Sequence, residues 1–135
     1  MESTQDATPN PTPAGAGSGI AALVSELTYL LARLAARDET AIIDLRSLSM
    51  SASDRVELQR ILGDGEVHAT LQAEGVSTAR KTAVAGLWWI EQRDAHGELI
   101  GELLEVACFP QILANTPNEI QDDAAVLQAK NTPIA

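Results

Sequence analysis

The side chains best equipped for acid–base, nucleophilic or metal chemistry are His68, His96, Cys108 and the carboxylates Glu98, Glu102 and Glu105. A structural or catalytic metal needs several ligands at short spacing, commonly Cys and His in pairs. His68 falls in an alternating stretch and His96 in a turn, and neither lies beside a Cys or a second His. On a strand, Glu98 and Glu102 share a face and Glu105 takes the other. That spacing reads as a solvated edge that discourages sheet-to-sheet pairing. Cys108, next to Phe109, reads as a buried and therefore inert thiol. Gly15, Gly17 and Gly19 follow no strand and so form no phosphate loop. No local signature of a Ser, His and Asp set is present. Asp44 and Arg46, two apart, read as a surface ion pair or a turn anchor. These residues point to no catalysis, no cofactor and no bound metal.

The bulk properties narrow the partners. A chain of 135 residues with a polar start has room for one domain. Aromatic residues make up only 3 %, so the core must rest on Leu, Ile, Val and Ala. A net charge of −10 argues against nucleic acid, whose phosphates need clustered Lys and Arg. It suits a soluble protein or one that meets a basic partner. The single Cys108 excludes an internal disulfide and fits a reducing compartment. No apolar run in the sequence approaches the roughly 18–20 residues of a membrane span. Nor do the first residues carry the basic start and apolar run of a signal peptide. The expected location is cytoplasmic, with no membrane partner.

The elements that must position these residues follow from periodicity. Residues 1–19, with Pro9, Pro11 and Pro13 and almost no large apolar side chain, are expected to be a disordered tail. Residues 20–37 read as an amphipathic helix with Leu23, Leu27, Leu30, Leu31 and Leu34 at helical spacing and Ser18 as its cap. Residues 40–45 (TAIIDL) read as a short edge strand. Ser51 and Asp54 form a capping box for a helix over residues 51–62, which Gly63 ends. Val67, Ala69, Leu71 and Ala73 alternate with polar residues, predicting a half-buried strand. Residues 76–84 read as the next strand. Pro110 stops the sheet, and Ile112 and Leu113 fit a helical turn. Thr116, Pro117 and Glu119 start a last helix running to about Lys130 with Ile120, Ala124 and Leu127 on one face. Residues 131–135 are expected to fray. The whole predicts one α+β domain over residues 20–130, an antiparallel sheet of four to five strands with helices mainly on one face.

Residues 86–109 (GLWWIEQRDAHGELIGELLEVACF) are the centre of that sheet, two apolar runs around an Asp94–Gly97 turn. Trp88 and Trp89 must face opposite sides. Trp89 shares a face with Leu87 and is expected in the core. Trp88 is expected on the open face, where an aromatic ring suits a partner. Such a patch, or the leucine stripe, would meet either a second copy, giving a homodimer, or another protein.

Three stretches together carry a resemblance. They are IIDLRSL (residues 42–48), LGDGEVHATL (62–71) and GLWWIEQRDAHGELIGELLEVACFPQIL (86–113). Ile43-Asp44-Leu45-Arg46, Leu62 with Gly65-Glu66-Val67, Gly86 with Trp88, and Glu105-Val106 with Pro110 stand in order. In this the chain resembles the C-terminal domain of HupH/HyaF-type hydrogenase expression proteins. The resemblance implies an accessory protein for maturing nickel–iron hydrogenases, acting on the small, iron–sulfur-bearing subunit before export, and not an enzyme. It implies as partners the hydrogenase small subunit or other maturation proteins. Arg46 and Glu66, charged members of the pattern, are expected to serve structure or partner contact, alongside Trp88. The other readings are a structural subunit of a larger assembly, and a metal carrier or enzyme whose ligand set the sequence does not display.

Overall fold

The computed structural model describes residues 16–131 and Pro133, with side chains from Gly19 onwards. Most of the expected tail therefore lies outside the described residues. From Ala16 the chain is already helical, so the first helix starts earlier than the leucine spacing implied and Ser18 lies inside it. The elements in order are α1 (Ala16–Arg37), β1 (Ala41–Asp44), α2 (Ala52–Leu62), β2 (His68–Gln72), β3 (Val76–Lys81), β4 (Leu87–Arg93), β5 (Leu99–Val106) and α3 (Pro117–Lys130). Two 3-10 turns, Leu45–Ser47 and Gln111–Leu113, follow β1 and β5.

All five strands form one antiparallel sheet in the order β1-β5-β4-β3-β2. β1 is an edge strand, as its position in the sequence predicts. The β4–β5 hairpin fills the middle, and Gly97 takes φ +85° in its turn. Asp94 Oδ1 accepts from the His96 and Glu98 N–H groups and closes that turn.

The sheet has two different faces. On one, Leu87, Trp89, Leu104 and Val106 join Ile20, Leu23, Leu27 and Leu34 of α1 and Leu58 and Leu62 of α2 in the main core. The leucine stripe of α1 is therefore core. By length and composition alone, Gly19–Arg37 (mean hydropathy 1.4) is also apolar enough to cross a membrane. This runs against the reading of the sequence, which found no such run. On the other face, Trp88, Ile90 and Ala79 form a smaller cluster, covered by Ile112 and Leu113 of the turn after β5.

Local signals operate as predicted at the starts of α2 and α3. Ser51 and Asp54 cap α2 reciprocally, and Thr116 and Glu119 do the same for α3, with Pro117 at the first position. Gly63 ends α2 at φ +69°, but its ψ of −176° lies outside the left-handed helical conformation expected of it. Asp38, also at positive φ (58°), ends α1 with its N–H on the Leu34 carbonyl at 2.9 Å. Asn131, expected among the frayed residues, holds the end of α3 through its N–H.

Two expectations fail on burial. β2 alternates, yet Leu71, and Val67 just before the strand, are exposed. Alternation fixes which side chains share a face, and β2 is the far edge, beyond the reach of α1, α2 and the covering turn. α3 buries none of its residues, and Ile120 and Leu127 lie open.

Candidate functional site

Arg46 sits in the 3-10 turn that leaves β1. Its N–H donates to Asp44 Oδ1 at 3.0 Å, and its guanidinium donates to the Leu99 carbonyl at 2.8 Å. Asp44 is thus a turn anchor, and Arg46 ties the end of β1 to the start of β5. Glu66 is exposed just before β2 and makes no hydrogen bond or ion pair among the described residues. Gly65 beside it passes so close to β3 that a Cβ there would sit 2.5 Å from the Thr82 carbonyl oxygen.

Trp88 overturns its expectation. It lies on the face away from α1 and α2, as strand alternation requires, but is only 4 % exposed. Its Nε1 donates to the Ala107 carbonyl at 3.1 Å, and Ile112 and Leu113 pack against its cluster. The cover is a 3-10 turn rather than a helix, so counting helices could not reveal it. The Phe109 ring stands edge-on to Trp88, with centroids 6.2 Å apart, and is 55 % exposed. The exposed aromatic of this face is therefore Phe109. Trp88 is the floor beneath it.

The glutamates of β5 also depart from expectation. β5 is flanked by β1 and β4, so it is no edge. Glu102 and Glu105 are 2 % and 5 % exposed, on opposite faces. Glu102 accepts from Trp89 Nε1 at 2.8 Å and pairs with Arg55 of α2. Arg80 adds its guanidinium over the Trp89 ring, 5.5 Å from the centroid, and reaches Asp64 at 3.3 Å. Glu105 lies opposite Trp88 in register and accepts the Gln111 N–H at 3.1 Å. Each buried carboxylate thus fastens a covering segment to the sheet: Glu102 holds α2, and Glu105 holds the turn over Trp88. The sequence contained a signal for this. A glutamate between apolar neighbours in a central strand must find donors, and a buried indole N–H must find an acceptor.

Cys108 is exposed, not buried, because it follows the last paired residue of β5 and turns outward before Pro110. His68 and His96 are both exposed. Among the described residues, no three His, Cys, Asp or Glu side chains are grouped to hold a metal ion.

The family described as "HupH hydrogenase expression protein, C-terminal conserved region" matches residues 19–132. The chain belongs to this family. It is 27 % identical over 118 residues to the hydrogenase expression/formation protein HupH of Rhizobium leguminosarum bv. viciae, covering 87 % of this chain and 42 % of the relative. It is 31 % identical over 110 residues to the hydrogenase-1 operon protein HyaF of Escherichia coli (strain K12), covering 78 % of this chain and 38 % of the relative. The solved structure of the hydrogenase expression protein HupH from Thiobacillus denitrificans ATCC 25259 superposes with a TM-score of 0.79 at 32 % identity, covering 84 % of this chain and 94 % of that one. The chain spans less than half the length of the curated relatives it matches. The HupH-type pattern read in the sequence is mostly architectural. Leu45, Leu62, Val106 and Pro110 are buried, Gly86 holds φ +86° against Leu31 and Leu34, and Glu105 fastens the covering turn.

Proposed function

We propose that the chain is a non-catalytic accessory protein in nickel–iron hydrogenase maturation, acting in the cytoplasm on the small, iron–sulfur subunit before export. The match of residues 19–132 to the HupH C-terminal family carries this reading. The site geometry supports it. The buried carboxylates are occupied in holding the fold, and the unusual surface feature is an aromatic ring, Phe109, standing on a buried Trp88. Aromatic side chains on a rigid floor suit partner recognition, because they bury much area with few rotors. Arg46 then acts as a structural tie at the opposite end of β5, and Glu66, exposed, is left for partner contact. The test is affinity capture of tagged chain from cells expressing the hydrogenase. Wild-type protein is expected to retain the small subunit, and Phe109→Ala to lose most of it while remaining folded, with a melting temperature lowered by no more than about 5 °C. Capture of no hydrogenase chain by the wild type would refute the reading.

A second reading, a permanent subunit of a larger assembly or a homodimer, is favoured by α3. A helix of this length is marginal unless it packs, yet α3 buries nothing and exposes Ile120, Val126 and Leu127. A stoichiometric complex surviving size-exclusion chromatography would favour it over transient client binding.

A further inference from the structure

Two strands, β1 and β2, form the edges of the sheet. An edge presents unpaired backbone N–H and C=O groups, and proteins guard it with very short strands, charges, proline or bulges. β1 is four residues long and carries Asp44. β2 lacks these guards. Residues 67–73 (VHATLQA) hold no Lys, Arg, Asp, Glu or Pro, all but Ala69 are exposed, and β2 pairs with β3 in unbroken register. The hydrogen bonds fix which groups point outward. The Lys81 N–H donates to the Val67 carbonyl at 2.9 Å, and the Ala73 N–H to the Gly75 carbonyl at 3.0 Å. Val67 and Ala73 therefore turn their backbone groups towards β3 and the turn before it. Bonded and unbonded residues alternate along an antiparallel pair, so Ala69 and Leu71 do the same. His68, Thr70 and Gln72 are left holding their N–H and C=O groups off the free edge. Groups at that spacing match another extended backbone.

Charge selects whose backbone. Glu66 and Glu74 bracket the strand, both are exposed, and neither has an ion-pair partner among the described residues. Arg80, opposite His68 in register, is engaged with Asp64 and the Trp89 ring. A second copy paired antiparallel at full overlap would set Thr70 against Thr70 and Glu66 against Glu74 at both ends, and like charges opposite each other are destabilising. We propose that β2 instead receives an extended segment of a partner polypeptide, uncharged over the length of residues 67–73 and with Lys or Arg at each end. Leu71 shares a face with Ala69, which pairs with Ala79 of the Trp88 cluster. Apolar side chains at alternate positions of the incoming strand pack beside Val67 and Leu71 on that face, and polar ones beside His68, Thr70 and Gln72 on the other. Glu66, unused by the fold, thereby gains a contact. The inference deepens the client-binding reading and rests on it only in taking the strand from a client.

The experiment needs no client. Amide shifts of the full chain are followed at neutral pH and low salt while a peptide, acetyl-KTVTVTVTK-amide, is added. The same peptide with Glu in place of both Lys is the charge control. The Lys-ended peptide is expected to shift residues 66–74 and to bind about tenfold tighter than the Glu-ended one, the worth of two exposed ion pairs and two avoided repulsions. Combining Glu66→Gln with Glu74→Gln should narrow that gap to about threefold or less. Thr70→Pro should fold, because its N–H serves no bond of the sheet, and should bind neither peptide. The double Gln variant keeps the test valid if the proline variant does not fold. Equal affinity for the two peptides would overturn the proposal, as would the absence of shifts at residues 66–74. Concentration-dependent shifts there without peptide would give the edge to a second copy and overturn it too. Any of these failures alongside capture of the small subunit would leave the maturation role standing. Peptide binding without capture of any hydrogenase chain would refute that role and keep the edge as a docking strand.

Discussion

The Trp89 indole donates its Nε1 hydrogen to the Glu102 carboxylate at 2.8 Å, across the two central strands of the sheet. Arg55 of α2 meets the same carboxylate from above. The Glu102 side chain is 1 % exposed and that of Arg55 34 %, so the two partners are not equivalent. Removing Arg55 strands a charge that water cannot reach. Removing Glu102 leaves a guanidinium that can turn to solvent, plus one unpaired indole N–H. Arg55→Met is therefore expected to cost about 3 kcal/mol or more, as for other buried pairs broken on one side. Glu102→Gln keeps an acceptor for Trp89 and should cost less, roughly 1–2 kcal/mol. Urea unfolding of both variants gives the comparison, and the reverse order would show that Glu102 is not the member trapped in the interior.

Trp88 and Phe109 should separate stability from surface. Trp88 is buried and hydrogen-bonded through Nε1, so Trp88→Ala is expected to lose about 3–5 kcal/mol through cavity formation. Phe109 is 55 % exposed and touches Trp88 edge-on, so Phe109→Ala should cost about 1 kcal/mol or less. Thermal melts on the two variants distinguish the floor from the exposed ring. Similar losses in both would mean that Phe109 belongs to the core.

The contrast between these two residues shows what the sequence made legible. The caps of α2 and α3, the antiparallel sheet with its edge strand β1 and the opposite facing of Trp88 and Trp89 followed from short-range chemistry, since Ser51, Asp54, Thr116, Pro117 and Glu119 act on their own neighbours. Coverage did not follow. Whether a strand face is buried depends on what arrives from elsewhere in the chain. Here Ile112 and Leu113 close over Trp88, α2 closes over Glu102, and Leu71 and Leu127 stay exposed. The same limit hid Glu105, whose partner is a backbone N–H in the covering turn.

Cys108 gives a direct check on the end of β5. Its side chain is exposed, so a thiol reagent such as Ellman's should modify one equivalent in the native protein, without denaturant. Melting should be unaffected by Cys108→Ser, because the residue fills no core space. Reaction only after unfolding would mean that the segment before Pro110 packs inward.

The N-terminus of α3 should respond to acid. The Thr116 backbone N–H, and secondarily its hydroxyl, hold the Glu119 carboxyl below the usual carboxylate range. The backbone bond is 2.7 Å long, and the Glu119 N–H returns to Thr116 Oγ1 at 3.1 Å. A group whose pKa is lowered by folding adds stability that is present above its unfolded value. That stability is lost as pH falls through the folded value. The capping box should therefore be intact at neutral pH and open as the solution is taken below the ordinary glutamate range, about pH 4. No residue of α3 is buried, so little apolar packing among the described residues would hold it once the cap is gone. Helical amide signals from residues 117–130 should weaken in acid before those of the sheet do. In Glu119→Gln, which caps without a titrating group, the same signals should hardly respond over this pH range. If α3 in the variant melts with acid as the parent does, the carboxylate of Glu119 is not what fastens the helix.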